Sequence, residues 1–430
     1  MDSISRYLLL LIIIIVFLVL APIIVLYMTG KGLPFISNAP SGTGILDVQS
    51  LPNGAEVFLN GERVGTTPAT FRFLAPGQHA IEVRYTGYHS WKKQLYVQAG
   101  QVTYAGSLSD TIRLLPSHEP QIIAEDVAVM TIAGNQTVYT TSDNQLITYD
   151  LDRAAQIRTT SVNQPITQLR PTGKTGLLFA KQSNSGWALL DVATLNLTPL
   201  PALLAQSSQI ELTDNNAVFG LNQNRLIVGN GQQARELLPN VSGFTVHGNL
   251  LYLITTAPNY ELATYFWDGA TLSKQTLLLA ESLPSAESVS LYLTNQKELF
   301  WLSEQSLYRV NQQLDLLKNS VLAVDFNPNK QRLTFYTPTE IFFYNFISNR
   351  VELLSRTTTG LSNAIVMPNI GFGFIAGAGG SEAIEIDSRD QQNRYQLYES
   401  VPLRQMLIST DESKLLLLNE NRLYSIQIKR

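Results

Sequence analysis

Residue types and spacings that could do chemistry are sparse in this chain. Its four histidines, His79, His89, His118 and His247, are scattered, and no His-Glu-x-x-His motif is present. With no cysteine, thiolate nucleophiles, thiolate zinc sites, disulfides and a lipidated cysteine are all excluded. The run Gly379-Gly380-Ser381-Glu382-Ala383 approaches a nucleophile elbow, but its last glycine is missing and no strand-to-helix pattern surrounds it. Gly371-Phe372-Gly373-Phe374-Ile375-Ala376 has the spacing of a dinucleotide fingerprint, yet no helix follows to offer its N-terminus to a phosphate. Its glycines read instead as a bulged strand and a loose hairpin. The densest acidic loops, Asp214-Asn215-Asn216 and Asp387-Ser388-Arg389-Asp390, lack the alternating ligands and glycine of a calcium loop and read as solvated turns. The sequence thus predicts no catalytic residue, no metal and no cofactor. Its one candidate ligand-binding cluster is Tyr85, Tyr88, His89 and Trp91, an aromatic platform for a sugar or a neighbouring surface. The alternative is that Tyr88 and Trp91 close a core while His89 is exposed.

Charge narrows the choice of partner. Thirty Lys+Arg against 34 Asp+Glu, a net charge of −4, leave no broad cationic surface, so nucleic acid is not an expected partner, and neither is a nucleotide. Only 15% of residues are charged, against about 25% in ordinary soluble domains. One apolar block accounts for part of the deficit. Asn, Gln, Ser and Thr in place of charge account for the rest. The 430-residue length predicts two to three domains.

The apolar block runs from Tyr7 to Met28 without a charge and is mostly Leu, Ile and Val. About 20 such residues span a bilayer core as a helix, so residues 1–28 are expected to be a cytoplasmic stub and a transmembrane signal anchor. The block exceeds a signal-peptide core and no small-x-small cleavage site follows it. Arg6 and Lys31 nearly balance across it. The six-residue tail, the lack of a second span and the low charge of the remainder place the bulk of the chain outside the cytoplasm, as a single-pass cell-membrane protein. Residues 29–43, rich in Gly, Pro, Ser and Asn, read as a linker.

Short alternating stretches follow, Ile45–Gln49, Ala55–Leu59, His79–Tyr85 and Lys93–Val97, separated by Pro-Asn-Gly, Asn-Gly and Pro-Gly turns. Asn60-Gly61 between two such runs signals a hairpin. Leu51-Pro52-Asn53-Gly54-Ala55-Glu56-Val57, then Asn60-Gly61, Gly65-Thr66-Thr67-Pro68, Pro76-Gly77-Gln78-His79 and Gly87-Tyr88 together resemble the PEGA domain, over roughly residues 44–115. Asn53 departs from the usual Ser or Glu at an exposed turn position. The resemblance implies a small β-sandwich over 44–116, without catalytic residues, acting as a surface-layer or cell-envelope interaction module.

Residues 117–430 repeat a strand–turn–strand unit ending in a polar residue: Asp150, Asp191, Asn230, Asp268, Asn311, Asn345, Asp387 and Gln427. The spacings of 41, 39, 38, 43, 34, 42 and 40 residues average near 40. Several short strands per repeat at that period predict a β-propeller of eight blades, with seven as the alternative. Asp or Asn at the end of each third strand can bond its own following backbone and turn the chain outward. The last repeat ends too soon for a fourth strand, which Pro120 to Ala124 could supply from the far end of the region.

The fold class expected is therefore mainly β: an N-terminal transmembrane helix, a PEGA-like β-sandwich and a β-propeller. The function expected is non-catalytic binding or scaffolding of surface components, with a cell-wall glycan or surface-layer protein as partner. An exported hydrolase or lyase acting on a wall polymer is the alternative, and would require two carboxylates facing one cleft. A sensor would need a membrane partner, because a six-residue tail is too short to fold.

Overall fold

The structure, a computed structural model, describes residues 3–28, 42–106, 111–256, 260–279, 289–358, 360–399 and 403–429, with the side chains of the first helix described over 11–25. Helix α1 is Ser3–Met28. Among the described residues, no helix is long and apolar enough to cross a membrane, so the expected transmembrane signal anchor is corrected. Most of the expected 29–43 linker, residues 29–41, lies outside the described residues.

The rest of the described chain is almost entirely strand and divides into two compact units. The first unit comprises residues 1–118 together with 368–372 and 384–395; the second holds the remainder.

The first unit contains a two-sheet sandwich. One sheet is built on β1 (Gly44–Leu51), which pairs antiparallel with β4 (Ala69–Leu74) and parallel with β7 (Val102–Tyr104) and β8 (Thr111–Arg113). The other is antiparallel throughout. Its order is β3 (Glu62–Thr66), β2 (Glu56–Leu59), β5 (Gly77–Arg84) and β6 (Trp91–Val97). Period-two alternation sends Leu46, Val48, Val57, Ile81, Val83, Leu95 and Val97 into one buried core. The β2–β3 hairpin turns on Asn60-Gly61, with φ of 52° and 88°, and registers Leu59 against Glu62. Two successive positive φ values are what a twisted two-residue hairpin needs, and why Asn-Gly stands there.

The second unit carries the repeat, and among the described residues eight four-stranded sheets fit a propeller. Seven are continuous meanders, over 127–161, 166–199, 209–239, 241–279, 289–318, 323–356 and 361–398. The eighth takes Leu403–Ile408, Lys414–Asn419 and Arg422–Gln427 from the C-terminal end. Its outer strand is β9 (Gln121–Ala124), registered Leu423↔Ala124, Tyr424↔Ile122 and Ser425↔Gln121.

Each sheet buries its faces against its neighbours. Val138 and Leu146 of the first share a core with Leu178 and Leu190 of the second. Phe219 of the third meets Trp267 of the fourth edge-on at 5.5 Å. Between the second and third sheets sits a four-residue helix, α2 (Ala202–Ala205), whose Leu204 is fully buried. A Cβ on Gly220 would lie 2.3 Å from the Ser207 hydroxyl and 2.7 Å from Leu204, so glycine is required for that seat. Tyr336 donates to the Ser362 carbonyl at 2.8 Å between sheets six and seven, and Tyr398 packs on Tyr424 at 4.8 Å between seven and eight. The eighth sheet returns to the first through one cluster holding Leu416, Leu418, Val127 and Met130.

The repeat markers all fall at the ends of third strands. Asp150, Asp191, Asp268 and Asn345 each accept from backbone N–H groups two or three residues on. Asp268 accepts from Thr271 Oγ1, Thr271 N and Ala270 N, which together hold its carboxyl down to about 2.

Because β9 covers the edge of Arg422–Gln427, replacing residues 121–124 in the full chain by Gly and Ser should lower the thermal midpoint of the propeller. It should also cause concentration-dependent association, seen by calorimetry and light scattering, since an unpaired edge templates other strands.

Candidate functional site: a buried ion pair in the sandwich unit

Strand β6 reads Trp-Lys-Lys-Gln-Leu-Tyr-Val, and its alternation places Trp91, Lys93, Leu95 and Val97 inward. A lysine on that face is the anomaly from which the site is built. Lys93 is 2% exposed. Its ammonium meets the Glu385 carboxylate at 3.1 Å and donates to the carbonyls of Asp387 at 2.7 Å and Gln391 at 3.1 Å. An ammonium has three protons, and three acceptors surround this one.

Glu385 is satisfied as fully. The Trp91 indole N–H donates to Oε1 at 2.7 Å, and Oε2 takes the Asn393 side-chain amide at 2.7 Å and backbone N–H at 3.3 Å besides the lysine. Burying two charges costs several kcal/mol per ion unless every donor and acceptor is matched, and here they are.

The loop that carries these acceptors also finishes the sheet edge. As the last strand of its sheet, β6 points the N–H groups of Lys92 and Gln94 away from β5. The Asp390 carboxylate accepts from Gln94 N at 2.7 Å and the Asn393 side-chain Oδ1 from Lys92 N at 3.4 Å. The Gln94 N–H holds the Asp390 carboxyl below its ordinary range. Arg389 reaches the Tyr104 and Ala105 carbonyls at 2.8 and 2.5 Å and pairs with Asp387 at 2.8 Å. Burial alone would raise the Asp387 carboxyl, but the Arg389 guanidinium outweighs it and the net shift is downward.

The four residues singled out in the sequence are divided between core and surface. Trp91 is buried in the core and spends its N–H on Glu385. Tyr88 packs against that core and meets Tyr85 edge-on at 5.5 Å, with Tyr85 exposed. His89 is half-buried and stacks on Tyr395 at 4.6 Å, with burial lowering its pKa. The Tyr395 hydroxyl donates to the Ser90 carbonyl at 3.0 Å, and burial, then the Glu385 charge, raise its pKa. Sequence reasoning missed Lys93, Glu385 and Asn393, and read Asp390 as part of a solvated turn rather than as the acceptor for Gln94 N. Only Lys93 carried a signal, as a charge at an inward position between Trp91 and Leu95.

The other motifs hold structural positions. Ser381 lies on strand Gly380–Glu385, 1% exposed, with no helix after it. The Asp214-Asn215-Asn216 loop is taken up by Lys174, which donates to the Asp214 carbonyl and the Asn216 side chain. Among the described residues, no group of three or more His, Asp or Glu could hold a metal.

One carboxyl in the propeller unit stands apart. Glu211, on the first strand of the third sheet, has its pKa raised by burial to about 7. It accepts from Val246 N at 2.8 Å and Thr245 Oγ1 at 3.3 Å on the fourth sheet, and from Gln209 Nε2 at 3.0 Å. It therefore joins two blades by hydrogen bonds.

Residues 43–108 match the family model of the PEGA domain. No curated relative matches the chain. Among solved structures, the chain is similar in fold to the C-terminal WD40 domain of Sif2, with a TM-score of 0.51, 11% identity, and coverage of 73% of this chain and 99% of that one. It is likewise similar to the computationally designed Ika8 protein, with a TM-score of 0.50, 11% identity, and coverage of 71% and 96%. The fold is thus a PEGA sandwich with a β-propeller.

Two outcomes follow from these buried charges. Lys93→Met leaves the buried Glu385 carboxylate without its counter-charge and the Asp387 and Gln391 carbonyls without the ammonium, and should cost the sandwich unit about 3–5 kcal/mol in denaturant unfolding. For Glu211, the folded pKa lies above the ordinary 4.5, so its contribution to stability is present below about pH 4.5 and is lost as pH rises through about 7. The fall in thermal midpoint between pH 5 and pH 8 should accordingly be smaller in Glu211→Gln than in the wild type.

Proposed function

We propose that this protein is a non-catalytic interaction scaffold of the cell envelope, with its PEGA sandwich and propeller outside the cytoplasm. The observation that carries the reading is the way the sandwich holds residues 384–395. A polypeptide segment 294 residues away in sequence is gripped by edge-strand capping and a desolvated ion pair, the contacts with which interaction modules hold partners. The ionisable groups of that region are spent on one another and on backbone, which fits a binding role better than acid–base chemistry. The low charge of the chain and its Asn, Gln, Ser and Thr content support the extracytoplasmic location. The partner class we propose is a cell-wall glycan or a surface-layer protein.

The test is incubation of the purified protein with isolated wall polymer and with surface-layer protein. Saturable retention of one of them, with no new reducing ends or peptide termini released, is the expected result. Release of polymer fragments in step with protein concentration would replace the scaffold by a hydrolase or lyase.

A further inference from the structure

The sandwich unit contains a groove of about 590 Å³, all of whose lining residues belong to that unit. Phe58, Glu82, Lys92 and Gln94 lie on one side of it, and Asp390 and Gln391 on the other. Its volume is in the range of small-molecule sites, about 300–1,000 Å³.

Three features define what fits. Charge comes first: Glu82 and Asp390 are balanced by Lys92 and Arg394 around the same groove, and Lys93, which also lines it, by Glu385 at 3.1 Å, so neither an anion nor a cation gains a net field there. Backbone access comes second. Beside the groove the outward N–H groups of β6 are already taken, Gln94 N by Asp390 and Lys92 N by Asn393, so a peptide lying in it finds no strand-pairing donors there. A ligand must be read by side chains. The third feature is the side-chain inventory. Gln94 and Gln391 are exposed, and among the described residues neither side-chain amide has a hydrogen-bond partner. An amide offers a donor and an acceptor together, and so does a hydroxyl. Phe58, covered by the Arg84 guanidinium at 4.4 Å, adds apolar surface beside them.

We propose that this groove binds a neutral oligosaccharide, its hydroxyls read by Gln94 and Gln391 and its C–H faces resting against Phe58. The inference rests on the binding role proposed above and names a ligand class for one site of it. Titration with a pure sugar involves no protein partner, so failure here leaves the scaffold reading standing.

The experiment is calorimetric titration of the full chain with β-1,4-linked tetrasaccharides of glucose and of N-acetylglucosamine. Saturable binding of at least one, with Kd at or below about 1 mM and little dependence on salt, is expected. The double variant Gln94→Ala/Gln391→Ala should weaken it by about five- to tenfold with an unchanged thermal midpoint. Should that variant unfold, the side-chain amide resonances of Gln94 and Gln391 in the wild type serve instead, and must shift on titration. Absence of binding to both sugars, affinity unaffected by the double variant, unshifted amide resonances, or tighter binding of a polyuronate or an extended peptide would overturn the proposal.

Discussion

A lysine ammonium in a protein interior must find acceptors for all three protons or give up its charge. Lys93 finds one carboxylate and two carbonyls, and all three come from residues 384–395. That requirement organises the sandwich unit. Glu385 is placed to meet the lysine, Trp91 and Asn393 saturate the remaining oxygen valences, and the loop held by these bonds aims Asp390 and Asn393 at the open edge of β6. A sheet edge that would invite pairing with another chain is thereby closed by side chains rather than by a further strand.

The propeller unit solves the same edge problem in another way. Its last sheet takes its outer strand, β9, from just after the sandwich, so the strand following the first 120 residues hydrogen-bonds to the last strand of the chain. Much of this was legible in the sequence. The polar residue closing each third strand marks a local Asx interaction within two or three residues, and such short-range chemistry repeats visibly. The Asn60-Gly61 turn was readable for the same reason, since its positive φ values admit few residue types.

What stayed hidden was set by contacts distant in sequence. Nothing near Glu385 or Asn393 announces that Lys93 needs them, because their pairing depends on which loop meets which strand. Asp387 read as a repeat marker and does accept from the Arg389 backbone, yet its carbonyl also serves Lys93. Trp91 read either as part of an aromatic platform or as a residue closing the core; it lies in the core, and nothing in the sequence announced that its indole N–H would serve Glu385. The N-terminal block was misread in a different way. Composition alone suggested a span, and among the described residues no helix is long and apolar enough to cross a membrane.

The sandwich therefore depends on a segment far away in the sequence, and the amide of Gln94 reports on this most directly. It lies on an edge strand and faces away from β5, so only the Asp390 carboxylate protects it. Residue-resolved native-state hydrogen exchange should find this amide exchanging as slowly as those bonded between β5 and β6, and should find the protection lost in Lys93→Met. A Gln94 amide exchanging in the wild type at the rate of an exposed loop would contradict the dependence of the sandwich on residues 384–395.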